Sequence, residues 1–216
     1  MISAQRLKET QRGTRDQFAD QDFGTRVHRA ISWIQRAEHE DDDPDARFIF
    51  SWIGFNALYG RVTEHQIGDR NLFNDLFRDL VRFDNKRLYK AIWETYSGPI
   101  KLLLENEFVF EPYWRHLEGD PGERPWEERF EQDQENVRKA LQRQNTAQIL
   151  SVLFNRLYVL RNQIFHGSAT WQSSVNRDQV RDGSRILSAL LPLIVDIMMA
   201  NHEHGWGSVH YPVVDD

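Results

Sequence analysis

Apolar positions along the chain recur mainly with the period of an α-helix. From about Gln21 to Glu38, Phe23, Val27, Ile31 and Ile34 fall on one stripe, and the acidic run HEDDDPD closes the segment. Asp43-Pro44 then supplies an N-cap and a first-turn proline for the next helix. That helix, ARFIFSWIGFNALYGRV, is apolar around most of its circumference, which predicts a central place in a bundle. Asn71 to Phe83 is amphipathic, with Leu72, Leu76, Phe77 and Leu80 on one face. KRLYKAIWETY and PIKLLLENEF continue as shorter helices broken at Ser97-Gly98-Pro99, and Leu117 to Glu128 is a loop rich in Gly, Pro and charge. A polar helix follows from about Glu127 to Gln144. After it come an apolar helix from Thr146 to His166, the loop GSATWQSSVN, and a last long helix from about Arg177 to Asn201. Alternating β-branched runs and tight hairpin turns are scarce. The expected class is all-α, a helical bundle with extra short helices before the Thr146–His166 helix.

Composition narrows the function classes. The chain has 216 residues, 40% hydrophobic and 28% charged, as expected for a soluble globular protein. Without cysteine it has no disulfide, thiol nucleophile or thiolate metal site. The polar N-terminus shows no secretory signal, and the longest apolar run, Ile186 to Ala200, falls short of the ~20 residues a membrane helix needs. A cytoplasmic protein with no membrane partner is expected. The net charge of −6 argues against nonspecific coating of nucleic acid but allows a local basic groove. Arg138/Lys139/Arg143 and Arg177/Arg181/Arg185 read as solvated helix faces, leaving Arg156 with Arg161 as the patch of interest. Walker A, GxGxxG, HExxH and GxSxG patterns are missing. His202, His204 and His210 have no clear carboxylate-rich partners nearby, so 202–216 is expected to be a disordered tail and no metal or cofactor is expected.

The candidate chemistry sits at the end of the apolar helix. On a wheel of ~100° per residue, Ile149, Leu150, Leu153, Phe154, Leu157, Tyr158, Leu160, Ile164 and Phe165 cover one half, and Arg161 falls inside it. Burying a guanidinium is costly, so this position calls for an anion, a buried acceptor set or a pocket open to water. Pairing with a core carboxylate, or snorkelling outward, are the plain alternatives. His166 precedes Gly167, a C′ residue of left-handed conformation, and the helix C-terminus favours an imidazolium there. Asn162, four residues earlier, is placed to orient the ring. Arg161 and His166 lie about 140° apart on the wheel, so the helix must unwind at Phe165 or a second copy must complete the site.

Arg161-Asn162-Gln163-Ile164-Phe165-His166 resembles the R-N-x-x-x-H form of the motif of HEPN domains. Trp52 to Gly60, WIGFNALYG, is similar to the aromatic helix of several bacterial HEPN-like families. The resemblance covers a core from about 21 to 201 within one domain of residues 1–216, with 86–144 as an insertion. It implies a metal-independent endoribonuclease of toxin or defence type that cleaves RNA by 2′-OH attack at a homodimeric site. Arg161, His166 and Asn162 would be the catalytic residues, with Arg156, Tyr158 and Asn56 as candidate substrate contacts. The alternative it implies is a non-catalytic module binding nucleotide, RNA or a protein such as a nucleotidyltransferase-like antitoxin. A purely structural helical dimer with Arg161 ion-paired is the third possibility. At helical spacing, Trp52 and Tyr59 are better explained as core than as stacking platforms.

Overall fold

The computed structural model describes residues 2–18, 20–60, 69–120, 122–167, 170–174 and 176–212. Among these residues all regular structure is helical and no strand occurs, so the chain is all-α. In chain order the helices are α1 Ala4–Thr14, α2 Gln21–Ala37, α3 Pro44–Tyr59, α4 Asp69–Tyr89 and α5 Ser97–Leu104. Then follow α6 Glu111–Leu117, α7 Trp126–Gln142, α8 Thr146–Phe165 and α9 Arg177–Ala200. Short 3₁₀ turns at Arg15–Gln17 and Glu107–Val109 and a π-turn at Lys90–Thr95 join some of them. The chain divides into two compact units, Met1–Arg87 with Ser184–Asp216, and Leu88–Gly183. The segment expected as an insertion, 86–144, falls largely in the second unit, which also holds α8.

In the first unit the local signals act as expected. Asp20 caps α2 by accepting from the Phe23 N–H at 2.5 Å, and Asp43 caps α3 through the Ala46 N–H at 3.0 Å. α3 packs against α2 along an aromatic core. Trp52, Phe55, Phe73 and Phe77 are fully buried, and the Phe55 ring lies 5.6 Å from Trp52 and 6.1 Å from Phe77. Gly54 permits the close approach of neighbours, because a Cβ there would stand 2.9 Å from Leu191 Cδ2 and 3.3 Å from Trp33 Cβ.

Two elements depart from the sequence expectation. α1 carries only Ala4 and Leu7 as buried positions, too few to mark a stripe. Docking of Leu7 and the Ala4 N–H bonded to Glu38 Oε1 at 2.8 Å hold it. The histidine segment is not a loose tail as far as it is described, to Pro212. Trp206 and Val209 are buried, His204 meets Asp79 at 3.1 Å, and the Val209 N–H donates to Asp22 at 3.2 Å. Residues 213–216 lie outside the described residues.

The strongest polar tie in this unit is Arg26, which is fully buried. Its Nη1 donates to the carbonyls of Leu58 at 2.5 Å, Gly60 at 2.9 Å and Ala57 at 3.3 Å. Its Nη2 donates to Gly207 at 2.9 Å. These acceptors include the last carbonyls of α3, which have no partner within the helix, so one side chain ends α3 and pins the C-terminal segment. α4 is interrupted at Asp84, whose φ of −148° and ψ of 69° are not helical. Asp84 caps the following turn through the Arg87 N–H at 3.1 Å, and the Arg87 guanidinium bridges Asp84 and Asp196. Burial raises the Asp84 pKa, but the Arg87 backbone and side-chain hydrogen bonds and charge outweigh it and hold the carboxyl below its ordinary value.

Replacing Arg26 by Leu leaves several buried carbonyls without donors, at about 1–3 kcal/mol each. Thermal unfolding by circular dichroism should show Tm lower by roughly 8 °C or more. Because the Asp84 pKa is depressed on folding, its stabilisation is present above about pH 3.9 and is lost as pH falls through the folded value. Urea unfolding across pH should therefore show Asp84→Asn weaker than the parent at neutral pH, with the two curves converging in acid.

Candidate functional site

α8 is laid down by a polar cap and an apolar face. The Asn145 side chain accepts from the Gln148 N–H at 3.1 Å. Ile149, Leu150, Leu153, Phe154, Leu157 and Leu160 are buried in the second unit, where α8 packs against α5, α7 and the 3₁₀ turn Glu107–Val109. The helix ends as its sequence predicts. Gly167 takes φ +71°, a conformation glycine adopts without penalty, and its N–H returns to the Ile164 carbonyl at 3.2 Å. The His166 N–H donates to the Asn162 carbonyl at 3.0 Å.

One residue unnoticed in the sequence fixes this last turn. Gln163 is buried, donates to the Phe108 carbonyl at 2.7 Å and accepts from Asn176 Nδ2 at 3.2 Å. Trp114 Nε1 reaches the same carbonyl at 2.8 Å. An amide inside the motif, flanked by Leu160 and Ile164, was the available signal.

The two arginines of α8 have opposite surroundings. Arg156, a candidate substrate contact from the sequence, is only 4% exposed. It forms an ion pair with Asp133, donates to the Leu104 carbonyl at 3.4 Å, and lies 4.8 Å from the Phe110 ring centroid. So enclosed, it ties α8 to α7 and α5 rather than meeting a solute. Arg161 is half-buried and, among the described residues, has no carboxylate partner. Its guanidinium lies 4.6 Å from the Phe165 ring centroid and 5.9 Å from that of Tyr158, and Nη1 donates to Asn162 Oδ1 at 2.9 Å. Its Nε is buried without an acceptor. The pairing with a core carboxylate weighed from the sequence is therefore not formed.

His166 is exposed, and its ring makes no hydrogen bond among the described residues. Asn162 is engaged with Arg161 and not with the imidazole, contrary to expectation: its Oδ1 lies within reach of the flanking guanidinium. Tyr158 is half-buried beside Arg161. Asn56 belongs to the first unit, where it accepts from the Tyr59 hydroxyl at 2.9 Å and lines a hollow of about 360 Å³ with Arg29, Gly60 and His210. In the other basic runs, Arg138 pairs on the surface with Glu135 at 2.7 Å and Arg181 with Asp178 at 2.9 Å. Among the described residues no three or more His, Cys, Asp or Glu side chains converge as a metal site would require.

The arrangement offers one unneutralised guanidinium and one solvent-facing imidazole within a single helical turn and its cap. Comparison with protein-family models, with curated proteins and with solved structures finds no match.

The two α8 arginines should respond differently to removal. Breaking the buried Arg156–Asp133 pair by Arg156→Met should cost about 3 kcal/mol or more. Arg161→Met removes a cation with no counter-ion among the described residues and should change stability by less than about 1 kcal/mol, in either direction. Urea denaturation of the two variants measures both.

Proposed function

We propose that this chain is a metal-independent endoribonuclease of HEPN type, a toxin or defence effector acting in the cytoplasm on RNA as a homodimer. The observation that carries the reading is Arg161: a half-buried guanidinium with no carboxylate partner among the described residues, one turn from an exposed imidazole. A phosphate supplies the missing anion, and the planar guanidinium fork suits it.

The chemistry follows from the residue types. His166 takes the proton of a ribose 2′-OH as its oxygen bonds to the adjacent phosphorus. The bond from phosphorus to the 5′-oxygen breaks, and that oxygen leaves with a proton from a second imidazolium. Arg161 stabilises the charge gathering on the non-bridging oxygens. The products are a 2′,3′-cyclic phosphate and a 5′-hydroxyl. Need for a 2′-OH restricts cleavage to RNA. Because Arg161 and His166 diverge by about 140° along one helix, a second copy is required to bring a histidine to the phosphate that an arginine holds. Phe165 and Trp171, 41% and 69% exposed, give the motif's own unit apolar surface for such a mate.

A second reading, a non-catalytic module binding RNA, nucleotide or an antitoxin-like protein, is favoured by one feature. With Asn162 turned to Arg161, no side chain among the described residues hydrogen-bonds the imidazole.

Purified protein should cut single-stranded RNA in EDTA and leave cyclic phosphate ends. His166→Ala should lower the rate by about 10²–10⁴-fold. Uncut RNA that still binds the wild-type protein would favour the module. Light scattering that gives a monomer at micromolar concentration would exclude the shared site.

A further inference from the structure

Away from the motif, the first unit holds a hollow of about 640 Å³ between α1 and α2. Its lining includes Lys8, Arg12, Arg15 and Arg29, with Phe18 and Gln21 among them. We infer that this hollow is a groove for single-stranded nucleic acid, its cations holding successive phosphates and the Phe18 ring stacking with a base. The choice of RNA as natural ligand rests on the proposed ribonuclease reading, while the groove's affinity for a polynucleotide does not.

The positive charge here is largely uncommitted. Lys8 and Arg12 stand one turn apart on α1, about 6 Å along its axis, and Arg15 continues the line in the 3₁₀ turn that follows. Neither Lys8 nor Arg12 forms an ion pair among the described residues, and both line the opening. Among the described residues Arg15 pairs only with Asp16, at 3.8 Å, on a carboxylate 95% exposed, a contact worth little in water. One carboxylate, Asp20, lines the hollow, and it is turned to the Phe23 N–H as the α2 cap. Arg29 donates to the Tyr211 carbonyl at 2.5 Å through Nη2, which anchors its stem and leaves its other nitrogens for a ligand. Across the opening, His28 adds a further donor from α2.

The remaining lining selects the ligand class. Phe18 is half-buried, braced edge-on by Phe23 at 4.9 Å and 83°, so its ring is held in place within a cationic wall. Gln21 and Thr25 offer donors and acceptors to base edges. A row of cations with an interleaved aromatic ring matches a strand of alternating phosphates and π faces. A bilayer surface needs an outward apolar face in place of a concave polar one. An acidic peptide would leave the ring without a purpose.

The test measures binding apart from cleavage. A fluorescein-labelled oligodeoxythymidylate lacks the 2′-OH and cannot be cut, so fluorescence anisotropy in EDTA reports binding without cleavage, and the variants separate the groove from the motif. Wild-type protein should bind it with log affinity falling against log salt at a slope of about −2.8, as four phosphate contacts require. Arg12→Ala with Arg15→Ala, both exposed and unconnected to the core, should weaken binding at least about tenfold and cut the slope to roughly −1.4. Phe18→Ala should weaken it by about fivefold or more with the slope unchanged. Arg161→Met should bind the oligonucleotide as the parent does. The proposal is overturned if the Arg12/Arg15 variant binds normally, if the parent binds no oligonucleotide, or if only phosphatidylserine vesicles or inorganic phosphate bind.

Discussion

A guanidinium withdrawn from water must be given acceptors or counter-charge, because its donors stay charged at every accessible pH. This constraint sorts the arginines of the chain. Arg26 meets it with four backbone carbonyls, and in doing so terminates α3 and fastens the segment around Gly207. Arg156 meets it with Asp133, the Leu104 carbonyl and two aromatic rings. Arg161 meets it only in part, with one amide oxygen and the face of Phe165. The first two make structure; the third keeps a buried Nε with no acceptor among the described residues.

That distinction gives the functional reading its physical content. Natural proteins keep incompletely satisfied charges mainly where a ligand completes them, and they accept a stability cost there. Gln163 shows the support such a site needs. Its two hydrogen bonds lock the turn that carries Arg161 and His166 without touching either side chain. The groove of α1 and α2 follows the same logic in the other unit, where cations along a helix face are left largely without partners.

Acidic overall composition and local basic sites are compatible for a simple reason. Arg138 of α7 and Arg181 near the start of α9 are paired within their own helices, with Glu135, Asp178 and Asp182. Such pairs contribute little stability, but they keep positive charge from accumulating on those faces. Lys8 and Arg12 of α1 and Arg161 of α8 are, among the described residues, outside such pairs.

Much of the architecture was present in local pattern. The stripe of α2, the Asp43-Pro44 start of α3, the limits of α8 and the Gly167 cap depend on residues within a turn or two of one another, and the structure places all of them close to expectation. The all-α class followed from the same periodicity. Tertiary contact decided the rest. α1 carries too few apolar positions to announce itself, and its helix is held by Leu7 and by Glu38, thirty-four residues away. The histidine segment looked polar because its anchors, Asp22, Arg26 and Asp79, lie far back in the chain. Arg156 and Arg161 occupy one helix five positions apart, and their own sequence could not tell the clamped cation from the open one. A charge is settled by what the fold brings against it: for Arg156 that is Asp133, from a separate helix, and for Arg161 no carboxylate among the described residues.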